Sequence, residues 1–141
     1  MVNQLFFNTK CTTAILICLM TGILYGCIQG DDPEEIHVMA KNTSNAMNSN
    51  LPDMVNQDML LLETDYEEMV FSYYVSVLNY SFNSVDIGSF MEYMRPNLIE
   101  NVCTLDRHQI FINKDISIRY VYSDKNQVEF TEIIVHPTDC R

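Results

Sequence analysis

The sequence predicts an α+β domain: an antiparallel sheet of about four strands with helices packed on one face, in the order α-ββ-αα-ββ. Three observations predict it. Residues 69–81 and 115–123 alternate apolar and polar side chains at the period of a half-buried strand, and each has a second apolar run near enough to close a hairpin. Two Asp-led stretches, beginning at Asp32 and Asp86, carry apolar residues at helical spacing. Finally, a chain of 141 residues has the length of one domain, and it holds no internal repeat.

The first helix is expected from Asp32. Asp32 can cap, Pro33 suits the first helical position, and Glu35 sits three after the cap. Ile36, Met39, Ala40, Ala46 and Met47 then give a thin apolar face, which fades at Asn48-Ser49-Asn50. Residues 59–63 read as a strand and 65–68 as a polar turn. In the strand that follows, Met69, Phe71, Tyr73, Val75 and Val77 form the predicted core face. Tyr74 and Tyr80 are the aromatics expected to be exposed, as a partner surface.

Asp86 should cap a second helix whose apolar residues are Ile87, Phe90, Met91 and Met94. Pro96 removes a backbone donor and should kink or split it before Leu98, Ile99 and Val102 continue the face. A short helix over 106–113 presents Ile110, Phe111 and Ile112. Ile116, Ile118, Tyr120 and Tyr122 line one face of the next strand. Asp124-Lys125-Asn126 turns the chain into its return strand. There Val128 and Phe130 fall on one face and Ile133 and Val135 on the other, so a bulge near Thr131 or Glu132 is expected.

Ahead of this domain, residues 11–28 form an uncharged apolar run, preceded by Lys10 and followed by Asp31 and Asp32. That is the shape of a secretory signal peptide over residues 1–26. The alternative is a retained membrane helix over about 11–29, giving a single-pass protein. Both place the C-terminal body outside the cytoplasm. Leu24-Tyr25-Gly26-Cys27 resembles the lipobox of bacterial lipoproteins. The resemblance implies cleavage before Cys27, lipid (diacylglycerol and an acyl group such as palmitate) on Cys27, and a short tether over 27–31. The folded domain then spans 32–141.

Charge and cysteines read differently after that cut. Losing Lys10 moves the net charge from −11 to −12, which argues against nucleic acid and anionic lipid as direct partners. Cys11 and Cys18 leave with the signal, and Cys27 takes lipid. Cys103 and Cys140 remain as an even pair in an oxidising compartment and are expected to be bonded. His37, His108 and His136 lie on separate elements, and there is no Cys-x-x-Cys spacing and no glycine-rich phosphate loop. No catalytic, cofactor-binding or metal-binding residue is expected, and the protein is read as non-enzymatic. The sequons at Asn42 and Asn79 are the chance matches expected in an Asn-rich chain.

From Leu51 onward the chain resembles small exported proteins of Gram-negative bacteria. The residues that carry this are Met94-Arg95-Pro96-Asn97-Leu98-Ile99-Glu100-Asn101-Val102-Cys103, then 116–126, then Asp139-Cys140. More distantly, the layout is similar to the pilotin lipoproteins of type II secretion systems of the AspS kind. That resemblance implies a sheet flanked by helices, periplasmic placement on the outer membrane, and a protein partner in the envelope: a C-terminal segment of the outer-membrane secretin. Ile28 after the lipidated cysteine fits outer-membrane sorting. Two other readings stand beside a binding module, namely an acidic exported inhibitor or immunity-type protein that blocks a basic enzyme, and a small hydrolase. The binding module requires an apolar groove between helix and sheet. Intact-mass measurement of membrane-extracted protein should show loss of residues 1–26, added acyl mass, and two hydrogens missing from the Cys103 and Cys140 pair. An unmodified Cys27 on an intact amino terminus would instead identify a retained helix.

Overall fold

In the computed structural model, which describes residues 32–81, 83 and 86–141, the first helix starts at the Asp-Pro pair marked in the sequence. Helix α1 spans Pro33–Asn48, and the Asp32 carboxylate accepts from the Glu34 backbone N–H at 3.0 Å. The expected signal peptide, the lipid site Cys27, the tether over 27–31 and the alternative membrane helix lie outside the described residues. Among the described residues, no helix is long and apolar enough to cross a membrane.

The strands that follow are β1 (Asp53–Asn56), β2 (Met59–Glu67) and β3 (Val70–Val77). Then come α2 (Ile87–Thr104), α3 (Asp106–Ile112), β4 (Ser117–Asp124), β5 (Glu129–Val135) and a 3-10 turn over Pro137–Cys140. The predicted α+β class and its order hold, with a fifth strand added. Strand β1 escaped the sequence reading because all four of its residues are exposed, so it shows no alternation. The sheet order is β1-β2-β3-β4-β5. It is mixed rather than antiparallel. The two hairpins are antiparallel, but β3 and β4 pair in parallel from Val70↔Ser117 to Val77↔Asp124. Two helices between the hairpins carry the chain back to the starting end of the sheet, which is what a parallel neighbour requires.

Several boundaries differ in informative ways. The expected turn at 65–68 is the end of β2, and the real turn is Glu68-Met69, with φ of 49° and 63°. Positive φ at both central residues matches the twist of a tight hairpin, but glutamate and methionine are not the residues that advertise it. Asn79 lies past the end of β3, where its amide donates to Asp58. Pro96 does not split α2, which runs unbroken from Ile87 to Thr104. Leu98 and Val102, both buried, continue the core face beyond it, so packing offsets the lost backbone bond. The β5 bulge is present at Phe130, just before the expected position, since Tyr122 pairs with Thr131 and Ser123 with Glu129.

All three helices lie on the face that carries Phe71, Tyr73, Val75 and Val77. Phe111 stacks on Phe71 with centroids 4.3 Å apart, and Phe90 meets Tyr122 edge-on at 5.0 Å. Fully burying side chains such as Phe71, Phe111 and Ile118 contributes roughly 1.5–3 kcal/mol each. Cys103 and Cys140 are bonded, with 5.2 Å between Cα atoms, which ties the end of α2 to the turn after β5. Closing a loop of 37 residues contributes on the order of 4 kcal/mol in the chain-entropy account. Among the described residues no helix lies on the opposite face, and its central Ser72, Ser76 and Ser123 are buried but bonded. Ser72 accepts from Arg119, and Ser76 and Ser123 donate to the carbonyls of Asp124 and Val75.

Helix α1 is seated by a polar contact. Strand β1 covers β2 only as far as Leu61, which leaves the outward edge at Thr64 without a strand neighbour. Asn48 supplies one. Its amide donates to the Thr64 carbonyl at 2.8 Å and accepts from the Thr64 N–H at 2.8 Å, while the Ser44 hydroxyl donates to the same carbonyl at 3.0 Å. Lys41 adds an ion pair with Asp65 at 2.8 Å, and the bond between them raises the lysine pKa and lowers that of the carboxyl. Asn48→Ala should leave a buried N–H unpaired and lower stability by about 1–3 kcal/mol in urea unfolding. A loss no larger than that of the exposed Asn42→Ala would show that the pairing contributes nothing.

Candidate functional site

Helix α1 sits over β2 and helix α2 over β5, so the middle of the helix-covered face is roofed by neither. The result is an apolar slot of about 700 Å³. Its floor is the inward face of three strands: Leu61 of β2, Tyr73 and Val75 of β3, Tyr120 and Tyr122 of β4. One wall is Met47 at the end of α1, the turn through Leu51, and Met54 and Val55 of β1. The other is Met94, Leu98 and Asn101 of α2. The start of α3 closes one end with Arg107 and His108.

The floor is set by the period of the strands. Tyr73 and Tyr120 are partners in the parallel ladder, and their rings stack at 4.8 Å. Burial pushes the Tyr73 hydroxyl up to about 12 and the Tyr120 and Tyr122 hydroxyls higher still, so all three stay neutral at physiological pH. The rim is different. Met54 and Val55 are 49% and 58% exposed, which is unusual for neighbouring apolar residues on a four-residue edge strand. Four of the nine methionines line the slot: Met47, Met54, Met59 and Met94. Methionine adapts its shape to an apolar partner at little cost.

His108 is 1% exposed and lies beside the slot. Its Nδ1–H donates to the Asn101 carbonyl at 3.3 Å, an atom that only accepts, so Nε2 carries the lone pair and accepts from the Tyr120 hydroxyl at 3.2 Å. Burial lowers its pKa, against a smaller upward pull from the Asn101 bond. The cleft therefore does contain a histidine, as a hydrolase would require. Both ring nitrogens are engaged, however, and the hydroxyl on Nε2 is that of a tyrosine whose ionisation burial opposes. That arrangement positions α3 and activates no nucleophile. Among the described residues, no cluster of three His, Cys, Asp or Glu could hold a metal.

The other expected residues lie elsewhere. Tyr74 faces the open side of the sheet, in a shallow depression with Leu62 and Val121. Tyr80 follows β3 and is 48% exposed. Neither lines the slot. His37 accepts or donates with the Tyr66 hydroxyl at 2.7 Å, and His136 meets Ser117 at 3.1 Å, both away from His108. A second depression surrounds the Cys103–Cys140 bond, where Arg141 pairs with Asp115. The sequence reading missed Met54, Val55 and Arg107. The one signal that pointed to the slot was the high methionine content.

No protein-family profile matches the chain, and no curated protein sequence is similar to it. Solved structures are. A protein of Pseudomonas aeruginosa described as secreted superposes with a TM-score of 0.66 at 16% identity, covering 79% of this chain and all of that one. The type 2 secretion system pilotin EpsS of Vibrio vulnificus gives 0.62 at 8% identity, covering 77% of this chain and 94% of its own. The pilotin AspS of Vibrio cholerae gives 0.59 at 11% identity, covering 76% and 94%. The chain has the pilotin fold at a sequence distance that shows the fold alone.

The histidine gives this site a pH dependence. A group whose folded pKa is depressed binds protons more readily in the unfolded chain, so its contribution to stability is complete above the free value of about 6.5 and declines as pH falls below it. Unfolding free energy should therefore fall from pH 6.5 towards 5, and His108→Gln should flatten that slope whatever its effect at pH 8. A slope unchanged by the substitution would mean that His108 binds protons equally in the folded and unfolded chain, against a depressed pKa.

Proposed function

We propose that this chain is a non-enzymatic, exported binding module of the pilotin type, anchored to membrane through lipid on Cys27. The slot between α1 and α2 carries the reading. It is apolar, its rim is exposed, and no residue within it is arranged for chemistry. An α-helix with its side chains is about 10 Å wide, more than a gap of this volume admits whole. The slot instead takes the large apolar side chains of one helix face, at i, i+3, i+4 and i+7, while the partner backbone rides on Met54 and Val55.

The fold shared with two type 2 secretion pilotins supports this reading. It favours, as occupant, the C-terminal segment of an outer-membrane secretin, which the protein would escort to the outer membrane. The short tether fits as well. Cys27 lies five residues before the Asp32 cap, so a lipid there holds the slot near the bilayer where a membrane-bound partner is found. One acyl chain binds only marginally, and the two or three that a lipobox cysteine receives anchor it stably. The inhibitor reading has less support. Blocking a basic active site needs carboxylates gathered at the docking surface, and among the described residues Asp53 is the one carboxylate that lines the slot.

Affinity purification of the full-length chain from detergent-extracted envelope should recover a secretin, and a synthetic peptide of that secretin's C-terminal segment should bind the purified chain. Val55→Asp should weaken the peptide by at least about tenfold while leaving stability within about 0.5 kcal/mol, as expected for an exposed position. Recovery of a soluble hydrolase in place of a secretin would move the assignment to the inhibitor class.

A further inference from the structure

The described residues include seven lysines and arginines, and three of them approach an acid. Lys41 pairs with Asp65 at 2.8 Å, Arg141 with Asp115 at 3.0 Å, and Arg119 approaches Glu132 at 4.0 Å and donates to Ser72. Arg107 does not. It is exposed at the start of α3, and among the described residues it is the one Lys or Arg lining the slot and makes no side-chain hydrogen bond or ion pair. It shares the lining of the slot with Tyr73, His108 and Tyr120. In a chain with 19 acidic residues against eight lysines and arginines, an unpaired arginine beside an apolar slot is a specific feature.

We propose that Arg107 is the specificity contact of this slot, pairing with an Asp or Glu side chain that the docked helix carries within about two turns of its apolar anchors. The inference rests on the helix-docking reading above and adds what the helix must contain. Two physical arguments support it. A docked helix that covers the slot would shield the Arg107 guanidinium from water, so a carboxylate brought to it there gains more than at an open surface, and the planar fork favours a bidentate pair. Among the described lining residues there is no second Lys or Arg, and one carboxylate, Asp53, so a carboxylate in any other register finds no ion-pair partner. The cation therefore selects one register and one direction for a helix that the apolar slot alone would accept in several.

The test is a selection that does not presuppose the natural partner. A display library of helical peptides of about 18 residues, five turns of helix, carries fixed leucines at the anchor spacing, free residues elsewhere and no free terminal carboxylate. It is selected against the full-length chain in mild detergent and, in parallel, against Arg107→Glu. Wild type should enrich Asp or Glu at one position, and the variant should enrich Lys or Arg at that same position. The best acidic peptide should lose about tenfold in affinity on Arg107→Glu, and regain it when its acid is exchanged for lysine. Arg107→Gln should lose affinity without reversing the preference, and unchanged thermal unfolding of both variants separates this from misfolding. Anchored peptides enriched with no charge preference, or an affinity indifferent to Arg107, would overturn this inference and leave helix docking standing. If no leucine-anchored peptide outcompetes scrambled ones, helix docking and this inference fall together.

Discussion

The contact on which the arrangement depends is the pairing of one side-chain amide with one backbone unit. Asn48 meets the N–H and the carbonyl of Thr64 as a neighbouring strand would. A sheet edge that is neither paired nor covered leaves donors and acceptors exposed. Here β1 covers the first part of the β2 edge and the last turn of α1 covers the next, so the strand and the helix divide the edge between them. The helix cannot slide inwards over β3 without abandoning those bonds. It is held at the border of the sheet, and among the described residues neither α1 nor α2 roofs the middle of the face.

The opposite wall is held by different means. Helix α2 leans on β5 through Phe90, whose ring meets Tyr122 and Phe130 edge-on, and its last turn is tied by Cys103 to Cys140. One wall is thus set by hydrogen bonds and the other by aromatic packing and a covalent bond. Neither depends on the contents of the slot between them. A site whose walls are fixed in advance loses little ordering entropy on binding. Its methionines can still change rotamer to suit the partner's side chains.

Much of the frame was legible in the sequence. The Asp32 and Asp86 caps, the alternation from Phe71 to Val77 and from Ile116 to Tyr122, and the cysteine pair each express a local rule, and the structure follows them. What stayed hidden involves residues distant in sequence or devoid of pattern. Strand β1 has no buried side to betray it. The parallel pairing of β3 with β4 depends on where two intervening helices lead the chain, which no window of residues encodes. The slot is a gap between elements, lined by Met47 from one helix and Met94 from another, with a floor that reads simply as core. Arg107 makes no side-chain hydrogen bond or ion pair among the described residues, and a sequence does not show which charges are left over.

The central strand has a consequence for the order of events during synthesis. Strand β3 finds its first neighbour, β2, across a two-residue turn, but its second, β4, begins 47 positions further on at Ser117. The earlier hairpin cannot bury its inner face until almost the whole chain has emerged, and contacts of such long range close slowly. A nascent chain of this topology has no stable intermediate domain to form early. It acquires its shape once the last quarter of the polypeptide has followed.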